Sequence, residues 1–284
     1  LTYSLKSSNS SSVPSSTWSV SVTKPWPKPR GISSCRLFSS DSSTATHCLY
    51  VGLTGRRSTA TSNTAPRAQR TVVPQYCEDL YAQDVHDAAL ESRFAGRFNV
   101  VFAGNISPAQ NLPLLVECAR RLKAADRRDV HFVIVGDGMS RDALEQEIAA
   151  ADVADWFTFE GQHPVTDIPA YHTMADALFA ALNASEDVGL TVPAKITSYL
   201  AAGRPCLVSV SGEAARVMDE AAAGLTSPAG DVHGLYENLL ALADMPPERR
   251  AALGRAGRAY YETHFRREPL LRQLEDFVLS GKKM

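Results

Sequence analysis

Glu186 and Lys195, nine positions apart, carry the clearest chemical signal in the sequence. Pro193 suits the first turn of a helix running to Ala202, so Lys195 falls on that turn and Glu186 in the loop before it. A carboxylate and an ammonium are thereby expected above one crevice. A cation at a helix N-terminus opposes the helix dipole, which favours a bound phosphate beside Lys195 over a solvated surface lysine. The second signal is Gly136-Asp137-Gly138, directly after the apolar run His131–Val135. Two residues without Cβ let a backbone approach a ligand closely, and a helix beginning near Ser140 would aim its dipole at a phosphate. The same pattern is equally that of a tight turn. It lacks the G-K-[ST] of a Walker loop, and Arg141 stands where G-x-G-x-x-G has its third glycine.

The elements that must position these residues follow from periodicity. Asn99–Ala103, His131–Val135, Trp156–Phe159, Ala177–Leu182 and Cys206–Val210 read as strands, several apolar throughout as parallel strands covered on both faces must be. Amphipathic segments separate them. Leu112, Leu115, Ala119 and Leu122 share one helical face, and Ile196, Tyr199 and Leu200 another. After Gly224 the pattern turns mostly helical, through Tyr236–Leu242, Pro247–His264 and Glu268–Leu279. This alternation predicts α/β architecture from about residue 97 onward: a single doubly wound parallel sheet, Rossmann-like, with a helical C-terminal tail. In such sheets ligands bind beyond the carboxyl ends of the strands. Gly104-Asn105-Ile106-Ser107, Gly136-Asp137-Gly138 and Ser185-Glu186-Asp187-Val188-Gly189-Leu190 all follow strand ends, so they should gather on one edge.

Residues 1–71 differ sharply from this body. The first seventy hold 27 Ser or Thr, nine Lys or Arg and one acid, Asp41, whereas the rest carries 20 basic and 30 acidic side chains. Such a leader buries too little apolar surface to offset the entropy of ordering, and disorder is expected there. It also has the composition of an organellar transit peptide, and the abrupt change near Thr71 is equally that of a misjoined reading frame. The acidic body has no stripe of cations and aromatics, which argues against nucleic acid as a partner. Five scattered cysteines without a C-x-x-C pair point to reduced thiols, with Cys118 and Cys206 as small core residues. The seven histidines are dispersed and read as surface residues, with His163 alone placed near the crevice, and no metal site is expected.

Taken in order, Gly136-Asp137-Gly138, Phe159-Glu160-Gly161, Ser185-Glu186-x-x-Gly189-Leu190 and Pro193-x-Lys195-x-x-x-Tyr199-x-x-x-Gly203-Arg204-Pro205 resemble the donor-binding half of glycosyltransferase family 4. Gly104-Asn105-Ile106-x-x-Ala109-Gln110 is similar to the first loop of the bacterial members that build O-antigen and capsule polysaccharides, the N-acetyl-L-fucosamine transferases among them. The resemblance implies a GT-B enzyme of two Rossmann-like domains, with this portion binding a nucleoside diphosphate sugar, a UDP-sugar by expectation, for retaining transfer without a metal. It implies that Glu186 contacts sugar hydroxyls. The family's second glutamate falls on Ser198, and its diphosphate-clamping Arg and Lys fall on Asn105 and Gln110, which moves the phosphate contact to Lys195, with Arg204 as its helper.

Residues 72–96 look like the segment leading into the second domain of such enzymes. An acceptor domain would precede it, supplied by a longer chain or a partner subunit, in a cytoplasmic protein that touches the inner face of the plasma membrane from the surface. Two other readings use the same residues. One is a noncatalytic nucleotide-sugar-binding remnant or the donor subunit of a split enzyme. The other is a nucleotide-sugar epimerase, which would need catalytic carboxylates and a histidine that the sequence does not single out.

Overall fold

The computed structural model describes residues 5–7, 18–20, 32–38, 49–55, 69–183 and 192–280. The chain divides into two units, residues 77–266 and a second formed by residues 1–76 with 267–284. In the second unit, β1 (Leu5–Ser7), β2 (Trp18–Val20), β3 (Ile32–Phe38), β4 (Leu49–Gly55) and β5 (Gln69–Val73) pair antiparallel in sequence order. The expectation of disorder concerns a stretch of which only these segments are described, and they form a ladder. The same unit holds the last helix, α9 (Arg267–Ser280), where the pattern predicts Glu268–Leu279.

The unit of residues 77–266 begins with a short helix, α1 (Ala88–Arg93), capped by Asp87, whose carboxylate accepts from the N–H groups of Ala89 and Leu90. Its sheet starts with two apolar six-residue runs, β6 (Phe98–Ala103) and β7 (Val130–Val135), which pair in parallel from Phe98↔Val130 to Ala103↔Val135. Parallel neighbours need a crossover, and α2 (Pro113–Ala124) provides it. α3 (Arg141–Ala150) leads to β8 (Phe157–Gly161), and α4 (Ile168–Met174) to β9 (Ala177–Ala181). α5 (Ala194–Ala202), β10 (Cys206–Ser209), α6 (Glu213–Ala221) and β11 (Gly224–Ser227) complete the sheet, followed by α7 (Val232–Ala243) and α8 (Pro247–His264). The order is β11-β10-β9-β6-β7-β8. Numbered within the sheet, that is 6-5-4-1-2-3, the doubly wound order whose direction reverses between β6 and β9.

β11 is a correction to the sequence reading, which turned helical after Gly224. Gly224-Leu225-Thr226-Ser227 is four residues long with little apolar pattern, and its strand state comes from pairing with β10 at the sheet edge. The strand predicted at Trp156 starts one residue later, since Trp156 closes a short 3-10 turn and donates its indole N–H to the Arg127 carbonyl.

Alternation along the strands splits the core in two. Phe98, Val100, Phe102, Phe132 and Ile134 pack with α2, α3 and α7, and the predicted face of Leu112, Leu115, Ala119 and Leu122 is buried there with Cys118. Val101, Val133, Val135, Leu178 and Val208 pack on the other side with Cys206 and the Ile196, Tyr199 and Leu200 face of α5. Burial removes most of the aqueous surface of these side chains, worth about 1.5–3 kcal/mol for each large one.

Two histidines depart from the expectation of surface placement. His131, on β7, and His172, on α4, are 1 % and 2 % exposed. Burial pushes their pKa values down from 6.5, to about 4 for His131 and about 3 for His172. The unfolded chain takes up these protons near pH 6.5 and the folded one resists them, so stability is full above that pH and falls as pH drops towards about 4. Urea unfolding should show a loss of up to roughly 1.4 kcal/mol per pH unit for each histidine across this window, and His131→Gln should remove its half of the slope.

Candidate functional site

At the reversal point, the loops after β6, β7 and β8 and the start of α5 enclose a cavity of about 790 Å³. The loops are knitted by backbone. Gly104 N–H donates to the Val135 carbonyl at 2.9 Å, Gly136 N–H to the Gly161 carbonyl at 2.7 Å, and Ile106 N–H to the Asp137 carbonyl at 2.9 Å. Gly136 and Gly138 adopt φ of +129° and +159°, and a Cβ at Gly136 would overlap the Gly104 carbonyl while one at Gly138 would overlap the Ile106 carbonyl. The glycines therefore hold two loops in direct backbone contact, which settles the structural half of the G-x-G reading.

Lys195 enters from α5, whose position is fixed to β6 by one hydrogen bond: Ala103 N–H donates to the Tyr199 hydroxyl at 3.2 Å. Its Nζ lies 3.5 Å from the centre of the Phe102 ring and donates to Gln110 Oε1 at 2.7 Å. That amide is its hydrogen-bond acceptor among the described residues. The ammonium is thus held by a ring face and a neutral dipole, and burial drives its pKa well below the usual 10.5. The N–H groups of Ala194 and Lys195 at the start of α5 add their partial positive charge at the same place, while that of Ile196 donates to the Pro193 carbonyl at 2.9 Å.

Ser198 lies one turn further along α5, 8 % exposed, and lines the cavity. Its hydroxyl donates to the Lys195 carbonyl at 2.9 Å, so the oxygen faces the cavity as an acceptor. On the opposite wall, His163 is oriented by Tyr171. The Tyr171 hydroxyl donates to Glu160 Oε2 at 2.9 Å and meets His163 Nε2 at 2.9 Å. Since that hydroxyl has one proton and spends it on Glu160, His163 Nε2 must be the donor. Arg93 pairs with Glu160 and completes the chain.

The structure brings Gly104, Asn105, Gly136, Gly138, Lys195 and Ser198 to the cavity wall. Gln110 joins through Lys195. Arg141 pairs with Glu145 at 2.8 Å and lies 5.6 Å from the centre of the Phe159 ring, so these two sit beside the site, next to Gly161, rather than in its wall. Glu186, Gly189 and Leu190 lie outside the described residues. Arg204 does not assist Lys195: it follows the C-terminal end of α5 and opens on a different cavity. Sequence reasoning missed Tyr81, Gln162 and His172, and gave Asp137 no role beyond its place between the two glycines. His172 is the most telling, since both ring nitrogens are without a hydrogen bond and its ring meets Tyr199 edge-on at 5.3 Å. A lone His in an amphipathic helix gives no sign of this. Among the described residues no three His, Cys, Asp or Glu side chains converge as a metal site would require.

The fold and the site together define a Rossmann-like unit of the GT-B kind, with a cation-bearing crevice at its switch point. The chain belongs to the family "Glycosyl transferases group 1", whose profile matches residues 97–245. A GDP-mannose-dependent alpha-(1-6)-phosphatidylinositol monomannoside mannosyltransferase of Mycobacterium tuberculosis is 30 % identical over 150 residues, 52 % of this chain and 38 % of that protein. A 2-deoxystreptamine glucosyltransferase of Streptomyces kanamyceticus is 30 % identical over 164 residues, 58 % of this chain and 41 % of that protein. The chain thus spans less than half the length of these curated relatives. Among solved structures, HepE from Anabaena in complex with UDP superposes with a TM-score of 0.60 at 18 % identity, covering 73 % of this chain and 56 % of that one. Sucrose-phosphate synthase from Thermosynechococcus elongatus superposes with a TM-score of 0.59 at 18 % identity, over 74 % and 53 % of the two chains.

Two outcomes test this geometry. Gly136→Ala should cost about 2–4 kcal/mol in urea unfolding, from backbone overlap plus a positive φ. Lys195→Met should raise the melting temperature of the ligand-free protein, because it removes a desolvated charge and keeps the packing, with a gain of about 1 kcal/mol.

Proposed function

We propose that the α/β unit binds a nucleoside diphosphate sugar in the cavity at its switch point, as the donor half of a retaining glycosyltransferase. The observation that carries this reading is the half-buried Lys195 side chain, held by Gln110 and Phe102 at the N-terminus of α5 and opening on a glycine-lined cavity. A cation desolvated in this way gains most from an anion placed against it. Transfer of a sugar builds negative charge on the departing diphosphate, and a preorganised ammonium with the α5 dipole stabilises that charge as it forms. Gln110 and Asn105 stand where the family resemblance implies a Lys and an Arg, and the contact between Gln110 and Lys195 supports a clamp in which one cation serves in place of two.

Ser198, as an acceptor, suits a ribose hydroxyl, and Glu186 is assigned to the sugar. Family membership and the UDP bound in the Anabaena neighbour support a diphosphate donor, a UDP-sugar in our reading, while the GDP-mannose dependence of the mycobacterial relative makes GDP the comparison to run. The first-loop pattern from Gly104 to Gln110 supports a place in bacterial cell-surface polysaccharide synthesis, with N-acetyl-L-fucosamine-type transfer as the finer assignment. Transfer is proposed for the whole protein at the cytoplasmic membrane face, together with an acceptor domain or partner subunit. Among the described residues no helix is long and apolar enough to cross a membrane.

Thermal-shift titration with UDP, GDP and their sugar conjugates tests the proposal. One nucleotide should raise the melting temperature by several degrees at saturation, and Lys195→Met should abolish the shift while the variant stays folded. Because Lys195 must be protonated to hold the diphosphate, affinity should weaken as pH rises. A panel in which no nucleotide binds would overturn the reading.

A further inference from the structure

The sheet has a second cavity at its opposite edge, before β9 and β10, with a volume of about 620 Å³. Four arginines line it: Arg204, Arg250, Arg255 and Arg258. Two carboxylates, Asp84 and Asp176, are the acids in its wall, so the lining carries an excess of positive charge.

Three of the arginines come from one face of α8, where Arg250, Arg255 and Arg258 fall on successive turns. The fourth follows Gly203, which ends α5 in the left-handed region at φ +66°. α5 and α8 are pressed together there, since a Cβ at Gly254 would overlap the Gly203 carbonyl. Two of the guanidiniums have structural tasks. Arg250 donates to the Met245 carbonyl at 2.6 Å, and Arg258 donates to the carbonyls of Ala82 and Ala201 at 2.7 Å each. The buried face of Asp176 accepts from Asn99 N–H at 2.9 Å, and Arg250 approaches its other oxygen no closer than 3.9 Å. The guanidiniums of Arg204 and Arg255 make no hydrogen bond or close ion pair among the described residues, while the Arg204 carbonyl accepts from the Cys206 thiol. Asp176 draws on both Arg250 and Arg204, and Arg258 pairs with Glu262 at 3.0 Å, yet four guanidiniums face two carboxylates in the lining, so a further anion there would relieve the remaining repulsion.

We infer that this cavity is a second anion site, which takes a phosphate-bearing ligand between Arg204 and Arg255. Guanidinium forks match the oxygens of a phosphate, and Pro247, at the N-terminus of α8, also lines the cavity. The site is separate from the donor cavity: α5 presents Lys195 to one at its first turn and Gly203 to the other past its last, with seven residues, roughly 12 Å of helix, between. The phosphate could be carried by a soluble metabolite or by a lipid headgroup, and these are separable.

The experiment titrates the full chain with inorganic pyrophosphate by calorimetry, with the donor cavity disabled by Lys195→Met so that binding there does not contribute. Saturable binding that weakens at least about tenfold in Arg204→Gln/Arg255→Gln is expected, with Arg255→Gln alone giving a partial loss from an exposed position that does not threaten folding. Circular dichroism and melting temperature confirm that the variants are folded. In a parallel arm, the chain is sedimented with vesicles of equal parts phosphatidylcholine and phosphatidylglycerol. Sedimentation that requires Arg204 and Arg255 and is competed by pyrophosphate identifies a lipid source, and pyrophosphate binding without sedimentation identifies a soluble one. Absence of pyrophosphate binding in the Lys195→Met background, or binding indifferent to both arginine variants, overturns the inference. Either result leaves the donor-site reading intact, since that reading is tested by nucleotides on the unmodified chain.

Discussion

An ammonium desolvated at the start of a helix has to be held by the surrounding structure, and here that requirement organises the switch-point crevice. Lys195 rests on the Phe102 ring at the end of β6 and on the Gln110 amide from the loop beyond it. Both supports are neutral. Among the described residues they fix where the charge sits without cancelling it, which is the difference between a structural ion pair and a charge kept for a ligand. The Tyr199 hydroxyl, buried one turn further along the same face of α5, ties the helix to the same strand. Strand end, loop and helix are thus referenced to one another at the atom that matters.

Close backbone approach is the second condition. The loops after β6 and β7 touch through Gly104, Gly136 and Gly138, and Gly104 itself lies so near Lys195 that an added Cβ would meet Nζ at 3.1 Å. Side chains there would push the loops apart and lift the ammonium from its supports. The glycines are therefore part of the same device as the lysine, since they set the depth at which the charge is buried.

Much of this was legible in the sequence because it rests on local chemistry. Apolar runs at βαβ spacing fixed five of six strands, and the order of glycine pairs and Pro-x-Lys located the crevice edge. What escaped was tertiary. β11 is short and polar, and it becomes a strand only through its neighbour. Arg204 is close to Lys195 in sequence, but a helix between them carries it to the other edge of the sheet. His131 and His172 look like surface residues until the elements around them are assembled, because the burial of a side chain depends on what packs over it. Gln110 and Lys195 read separately as a departure and a match to the family pattern, and their contact across 85 positions was invisible in either.

Ser198 has a consequence for how any occupant must lie. Its proton is committed to the Lys195 carbonyl, so towards the cavity it offers only electron pairs. One helical turn away, Lys195 offers only protons. The two ends of that turn therefore have opposite appetites: a phosphate is drawn to one and repelled by the other, while a hydroxyl can satisfy the second. A ligand that carries phosphate and hydroxyl groups at fixed separation meets a polarity written along α5, and it can enter in one direction without leaving an acceptor facing an acceptor. Orientation is thereby decided by who donates and who accepts, before shape has any say.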